Sequence, residues 1–208
     1  LRAIRFACRL DFAIAPDTLA AIREKAPLLQ YISRERIAAE LTAALQSSAP
    51  QHLNLLYETG MVKFCLPGLS DWKSQDWEAA LQRVEQVPAE KVARWAALLY
   101  SKKLTGPCVR SLLTWLKLDR QTINGVSCIL RHSGFSLPLS PLQLKRFIQA
   151  FGDTYLEMAL WVELAAKEVD NRPLQVKKGM EQYRKIRLRG EPVCLQDLAL
   201  NGTDLQEV

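Results

Sequence analysis

The chain has 208 residues, of which 49% are hydrophobic, with a formal net charge of +6 and a pI of about 9.1. That is enough for one large domain or two to three small ones around a buried core. Its longest apolar runs are only a few residues, which excludes a membrane-spanning helix, and no stretch has the pattern of a secretory signal, so we expect a cytoplasmic protein.

Helical spacing of apolar residues begins in the first line of the sequence. The basic stretch LRAIRFACRL is followed by PDTLAAIREK, for which Asp17 or Thr18 is a candidate N-cap and Pro27 a stop signal. The next segment, ISRERIAAELTAALQSS, offers Ser33 as a cap. The same spacing puts four apolar residues of this segment on one face, namely Ile37, Leu41, Ala44 and Leu45.

Helical segments continue through the middle of the chain. Pro50 begins a helix that ends before Gly60, and Pro67-Gly68 forms a turn. The segments SQDWEAALQRVEQV and PAEKVARWAALLYSKK read as an antiparallel helix pair across Pro88. The segment CVRSLLTWLKL comes next, and DRQTINGVSCILRHS then has Asp119 as its cap.

The last long segments are SPLQLKRFIQAFGD and TYLEMALWVELAAKEVD. The second is apolar on much of its circumference, which predicts a central position. No strand-like alternation persists beyond four residues, so the sequence predicts an all-α fold with neighbouring helices side by side. The five tryptophans mostly sit at core spacing.

Positive charge is concentrated near the end of the chain. Residues 172–190 carry seven basic residues and one acid, Glu181, a balance equal to the whole net charge of +6. Such a cluster suggests an anionic partner, with nucleic acid first, and a solvated helix face is the alternative. The candidate RNA-binding residues are Lys177, Lys178, Arg184, Lys185 and Arg187.

The residues and spacings of common enzymatic sites are absent from the sequence. It has no glycine-rich phosphate loop, no DxD carboxylate pair, and two histidines, His52 and His132, without paired spacing. Its five cysteines are scattered without a CxxC pair, so we expect reduced core thiols, and no zinc site or disulfide framework. The chain alone reads as a scaffold or binder, with neither catalytic residues nor metal ligands.

Three arginines recur at helical spacing in the first ten residues. Arg2, Arg5 and Arg9 fall within one stripe of a helix, beside Ile4 and Cys8 on the adjacent face. Such a stripe of guanidinium groups has two interpretations. It can line a channel that binds phosphate or a nucleotide, or it can form salt bridges to acids elsewhere in the fold. The pattern alone favours neither interpretation.

Residues 1–41, which hold LRAIRF, RLDF and ISRERIAAEL in this order, closely resemble the neck region of class II tRNA nucleotidyltransferases and bacterial poly(A) polymerases. A weaker match is LQDLALNGTDLQEV at 195–208, which resembles a segment of the family's tail. The chain starts and stops inside these motifs, so we expect it to be an interior piece of a longer protein.

The resemblance implies an enzyme that adds CMP and AMP, from CTP and ATP, to the 3′ end of tRNA. Its metal-binding carboxylates with Mg²⁺, and its base-reading motif, would lie in a head before Leu1, so we expect this chain alone to be inactive. The neck would support the nucleotide site, and the body and tail would hold the acceptor stem and elbow of tRNA. The implied supporting residues are Arg2, Arg5, Phe6, Arg9, Ser33, Arg36 and Glu40. Ser33 fits as a helix cap, and Arg36 and Glu40 as an i,i+4 pair.

One segment departs from the family pattern. Some relatives carry a metal-binding His-Asp pair after a helix like ARWAALL, and this chain has Tyr100 and Ser101 at those positions. The resemblance therefore predicts a body derived from such a phosphohydrolase domain but lacking its metal site.

The predicted organisation is a neck over 1–60, a body over 61–138 and the start of a tail over 139–208. The first boundary rests on Gly60 and the second on GFSLPLSP. Two alternatives stay open: a poly(A) polymerase or partial-CCA enzyme (CC- or A-adding) of the same family, and a helical RNA-binding or protein-interaction module without catalysis.

Overall fold

The structure, a computed structural model, describes residues 1–135, 139–167, 169–193 and 197. Regular structure in these residues is helical throughout, which confirms the all-α prediction. The α-helices are α1 Arg2–Leu10, α2 Pro16–Lys25, α3 Arg34–Leu45, α4 Asn54–Glu58, α5 Val62–Cys65, α6 Ser74–Glu85, α7 Lys91–Leu99, α8 Gly106–Trp115, α9 Arg120–Arg131, α10 Pro141–Ala166 and α11 Arg172–Leu188. Short 3-10 helices lie at Ala26–Tyr31, Pro50–Leu53 and Pro67–Leu69.

Helix α7 occupies the centre of the fold. Every residue from Val92 to Leu99 is buried, and the helix packs against α3, α6, α9 and α10. The predicted pairing of α6 with α7 across Pro88 is confirmed. Because eight of its nine residues are buried, the polar side chains among them need hydrogen-bond partners within the protein.

Two side chains of α7 meet that requirement by bonding to α3 and its surroundings. The Arg94 guanidinium donates from Nε to the Pro88 carbonyl at 3.1 Å and from Nη1 to the Leu45 carbonyl at 3.2 Å. Leu45 is the last residue of α3, so its carbonyl lacks a partner inside the helix. Trp95 Nε1 donates to Thr42 Oγ1 at 3.1 Å. These bonds fix α7 against α3.

Helix α10 contains the break that the sequence predicts between two helices. Gly152 has φ 61° and ψ −174°, a backbone conformation open essentially to glycine alone. Six apolar side chains after the break are buried, and α10 packs against α7, α9 and α11; the six are Leu156, Ala159, Leu160, Val162, Leu164 and Ala165. The central position predicted for this segment is therefore confirmed.

The predicted helix caps have mixed outcomes. Asp119 caps α9, since its Oδ1 accepts from the Thr122 backbone N–H at 2.8 Å. Gly60 follows α4 with φ 70°, as a helix stop requires. The prediction of Asp17 or Thr18 as a cap is wrong: Ala15 is the N-cap of α2. Pro16 fits the first helical position because it has no N–H to satisfy.

Burial of the cysteines and tryptophans follows the sequence prediction only in part. Cys8 and Cys65 are buried, and burial raises the pKa of each thiol to about 12. Cys128 is half-buried, and Cys108 is exposed in the first turn of α8, so not all of these thiols belong to the core. The four cysteines described are free, and Cys194 lies outside the described residues. Among the tryptophans, Trp72, Trp77 and Trp95 are buried and Trp115 and Trp161 are half-buried.

Two further predictions concern residues that the structure describes only in part. Residues 136–138 of the GFSLPLSP boundary lie outside the described residues, as does all of LQDLALNGTDLQEV except Asp197. None of the described helices combines the length and apolar character needed to cross a bilayer.

We expect Gly152→Ala to lower the free energy of unfolding by about 1–3 kcal/mol, because a β-carbon is strained in this conformation. Gly106→Ala is the matched control. A β-carbon at Gly106 would have nothing within 4 Å, and the residue is not in the left-handed region, so its effect should be near zero or slightly stabilising. Urea denaturation of both variants measures the difference, and equal losses would contradict the assignment of the break to Gly152.

The Asp119 carboxylate should make the stability of the protein depend on acidic pH. The Lys91 ammonium, followed by the Thr122 backbone N–H, lowers the pKa of Asp119 in the folded state. Because the pKa of Asp119 is lower in the folded state than in the unfolded state, its carboxylate stabilises the protein above the unfolded pKa, about 3.9. This stability is lost as pH falls below that value.

Asp119→Asn keeps a capping side chain and should reduce the loss of stability at acidic pH. Asp119→Ala should also cost about 1 kcal/mol at neutral pH through the lost cap. Thermal melts between pH 3 and 7 check both effects, and an unchanged acid loss in Asp119→Asn would contradict the first.

Candidate nucleic-acid interface

The first surface to consider is formed by α1 and α3, which pack through buried residues that include Ile4, Cys8 and Leu41. At its edge, Glu40 of α3 accepts from two arginines of α1. Arg5 Nε lies 2.6 Å from Glu40 Oε2, and Arg2 Nε lies 3.4 Å from Oε1. The Arg5 side chain is 19% exposed and the Arg2 side chain 73% exposed. The Arg5–Glu40 pair is therefore the less screened of the two.

These contacts correct two predictions about α3. Glu40 pairs with α1, and among the described residues Arg36 is exposed without an ion-pair partner, so the predicted Arg36–Glu40 pair is wrong. The reason is that two guanidinium groups of the neighbouring helix reach the same carboxylate. Ser33 stands at the N-cap position of α3, but its side chain accepts no hydrogen bond there.

Of the three arginines of α1, two form salt bridges and one is left free, within the described residues, for a phosphate or nucleotide, so each of the two interpretations fits part of the stripe. Arg2 and Arg5 form salt bridges, whereas Arg9 is exposed and has no ion-pair partner in the described part of the chain. The Arg5 guanidinium carbon also lies 4.3 Å from the centroid of the Phe6 ring. Arg5 and Glu40 thus hold α1 against α3, and Arg9 stays available to an external anion.

Sequence reasoning named Phe6 but missed three other exposed apolar side chains in the first 31 residues, those of Leu10, Phe12 and Tyr31. Phe6, Leu10 and Phe12 are 40%, 61% and 43% exposed, and Tyr31 is 77% exposed. Phe6 and Leu10 are four residues apart, so they share one side of α1, and this side differs from the buried side that carries Ile4 and Cys8. That spacing is the signal that could have revealed them. Aromatic rings beside arginine are typical of surfaces that stack nucleobases.

The second surface is α11, which the basic segment forms over Arg172–Leu188. Val176 and Ile186 are buried, and the helix packs against α10. A β-carbon on Gly179 would lie 3.0 Å from Leu160 Cδ1, so the two helices approach closely at this glycine. The contact fixes which side of α11 faces solvent.

The side of α11 away from α10 carries exposed cations. Lys177, Lys178, Arg184 and Lys185 are all exposed, and within the described residues none of them has an ion-pair partner. We call these four residues the basic face. Its two pairs are separated by seven residues, about 10 Å along the helix axis. Glu181, also exposed, lies between the pairs.

Arg187, the fifth predicted residue, is differently placed. Its Nη2 lies 2.5 Å from Asp153 Oδ1 of α10. Hydrogen bonding to Arg187 lowers the pKa of Asp153, and the same contact raises the pKa of Arg187. Part of the charge of Arg187 is thus already neutralised, whereas the basic face is not.

The described residues contain no group of three or more His, Cys, Asp or Glu side chains placed to hold a metal ion. His52 Nε2 lies 2.8 Å from Asp11 Oδ1, and His132 packs edge-on against Phe151. At the departure from the family pattern, Tyr100 Oη donates to Glu163 Oε2 at 3.4 Å, and Ser101 Oγ accepts from the Lys103 backbone N–H. Tyr100 and Ser101 thus place hydroxyl groups at the positions where some relatives would have the metal-binding His-Asp pair.

Comparison with known proteins assigns an RNA-binding family model to a part of the chain that includes α2 and α3 but neither α1 nor α11. Residues 11–73 match a family model described as "probable RNA and SrmB-binding site of polymerase A". The whole chain aligns with the CCA-adding enzymes of Geobacillus stearothermophilus, at 37% identity, and Enterococcus faecalis, at 33%. These alignments cover 49% and 48% of those enzymes.

A solved structure gives the same result for the fold. The crystal structure of Bacillus stearothermophilus CCA-adding enzyme in complex with CTP superposes with a TM-score of 0.74 at 27% identity. The match covers 99% of this chain and 50% of that one. The chain therefore belongs to the family of the CCA-adding enzymes, as the resemblance of residues 1–41 predicts, and it spans about half the length of the relatives it matches.

We expect Arg5 to couple to Glu40 more strongly than Arg2 does, because the Arg5 contact is shorter and more buried. A double-mutant cycle with Arg5→Ala and Glu40→Ala should give a coupling free energy of about 1 kcal/mol. The parallel cycle with Arg2→Ala should give a value near zero, as for an exposed pair. Urea denaturation of the six proteins measures both couplings, and equal values would show that the contact distances do not rank the two pairs.

Proposed function

We propose that this chain is the RNA-holding helical region of a CCA-adding tRNA nucleotidyltransferase. Such an enzyme transfers CMP and AMP from CTP and ATP to the tRNA 3′ end. The basic face of α11 is the observation that carries the proposal, because four exposed cations without partners in the described residues are held in fixed register on one helix. The chain-long similarity to CCA-adding enzymes supports the choice of tRNA as the RNA.

The proposed contact is electrostatic. Each lysine or arginine that meets a phosphate releases condensed counterions, so binding depends steeply on salt concentration. Folded RNA is recognised largely by its shape and its phosphate and 2′-hydroxyl groups, and a rigid helix face suits this mode. We propose that the body and tail of the protein contact the acceptor stem and elbow of tRNA.

The surface of α1 and α3 has a different proposed role, which is to support the nucleotide site. The Arg5–Glu40 contact sets the position of α1, and Phe6 and Arg9 then face outward beside it. Arg2, Ser33 and Arg36 complete the proposed supporting set at the exposed edge of the two helices. None of these side chains is assigned a part in bond formation.

In this proposal the chemistry belongs to a longer cytoplasmic enzyme. Mg²⁺ bound in its head would supply the electrostatic stabilisation of phosphoryl transfer. The sequence has no DxD carboxylate pair, and the described residues have no metal-holding cluster. The chain alone should therefore bind tRNA without extending it.

Removal of the basic face should weaken tRNA binding and flatten its salt dependence. For the triple variant Lys177→Ala, Lys178→Ala and Arg184→Ala, we expect the slope of log Kobs against log salt concentration to fall by about 2. Glu181→Gln should strengthen binding, because it removes the one negative charge between the two pairs. Fluorescence anisotropy with labelled tRNA from 50 to about 300 mM salt covers the range in which such slopes are measured.

Single substitutions on the same helix supply a matched control. Arg184→Ala and Arg187→Ala change the net charge equally, but Arg187 is already paired with Asp153. Arg184→Ala should therefore cost more affinity. An unchanged salt slope in the triple variant would mean that the basic face is a solvated helix surface, and the proposal would then fail.

A further inference from the structure

A cleft of about 750 Å³ lies where the carboxyl end of α7 meets α8, α9 and the residues after α9. Its apolar wall comes from leucine, valine and proline side chains of these segments. Three cations, Lys102, Arg110 and Arg131, also line it, and no carboxylate does so among its described residues. A volume of this size falls within the range of small-molecule sites.

The positive charge around the cleft is not balanced locally. Lys102 and Arg131 are exposed and have no ion-pair partner in the part of the chain that the structure describes. Arg110 Nη1 donates to Asn124 Oδ1 at 3.2 Å. This amide is neutral, so it orients the guanidinium without neutralising its positive charge. A concave surface that is lined by three cations and, among its described residues, by no acid favours an anionic ligand.

Other features of the cleft add polar groups and a fixed ring. The buried Oγ of Ser127 has no hydrogen-bond partner in the structure, although Ser127 lines the cleft. The ring of Tyr100 is held through its hydroxyl by Glu163, a buried carboxylate paired with Lys167 at 3.1 Å. The first residue of α8, Gly106, lies at the rim, so the positive end of that helix dipole adds to the field there.

We propose that this cleft binds an organic phosphate, with a nucleoside monophosphate as the unit recognised. Arg110 and Arg131 would hold the phosphate through charge-assisted hydrogen bonds. The apolar wall and the Tyr100 ring would accommodate the sugar and the base. The unit comes either from a free nucleotide or from the terminal nucleotide of an RNA, and in neither case does the site use a residue of α11.

Isothermal titration calorimetry of the 208-residue chain with AMP tests the proposal. Arg131→Ala should weaken AMP binding about tenfold, as expected for one charge-assisted hydrogen bond. Arg120→Ala is the matched control: it removes an exposed arginine from the same helix, outside the cleft, and should change affinity less than about twofold. Inorganic phosphate and adenosine should each bind more weakly than AMP, since each lacks half of the recognised unit.

Three results would overturn the proposal: no heat with AMP at millimolar concentration, equal losses in Arg131→Ala and Arg120→Ala, or loss of AMP binding in the triple variant of the basic face. The last result would place AMP on α11. Retention of AMP binding by that variant, together with weakened tRNA binding, would separate the two sites. Competition between AMP and a trinucleotide RNA distinguishes the sources, because only a terminal nucleotide that enters the cleft would compete through Arg131.

Discussion

The fold depends on the burial of α7 from Val92 to Leu99. A short helix without a solvent-facing side is stable only if its neighbours supply both apolar contacts and hydrogen-bond partners. Arg94 is the charged side chain of α7 that is buried. Burial lowers the pKa of its guanidinium, and the backbone carbonyls of Pro88 and Leu45 accept hydrogen bonds from it. Because one of these carbonyls ends α3, the same bonds that satisfy Arg94 also position α3.

Both candidate surfaces are positioned by helices that pack against α7, one earlier in the chain and one later. Towards the start of the chain, α7 holds α3, and Glu40 of α3 holds α1 through Arg5. Towards its end, α7 packs on α10, and α10 fixes the rotation of α11 through the close approach of Gly179 to Leu160. The basic face is consequently presented by a helix that cannot turn without loss of packing. A rigid array of cations suits a ligand recognised by its phosphates and its shape.

Some features that depend on neighbouring residues in the sequence were predictable, although the caps expected at Asp17 or Thr18 and at Ser33 were not found. The cap at Asp119, the stop at Gly60 and the break near Gly152 each follow from the chemistry of one residue and its local backbone. The motifs LRAIRF and ISRERIAAEL, which carry the family resemblance, were equally visible in the sequence, and the comparisons confirm the family.

Contacts between individual side chains of separate helices were not predictable. Glu40 has a plausible i,i+4 partner in Arg36, yet the arrival of α1 gives it Arg5 instead. The spacing in the sequence cannot reveal that contact, because it depends on how two separate helices cross. The organic phosphate cleft was missed for the same reason, since Lys102, Arg110 and Arg131 belong to different segments and meet only in the fold.

The proposed function requires the arrangement of helices to select folded RNA. The most direct measurement compares binding of the chain to tRNA with binding to an unstructured RNA of equal length, at low and moderate salt. We expect tighter binding to tRNA, with a preference that persists at moderate salt because the shape of the RNA contributes beside its charge. Equal binding to both RNAs at every salt concentration would contradict it.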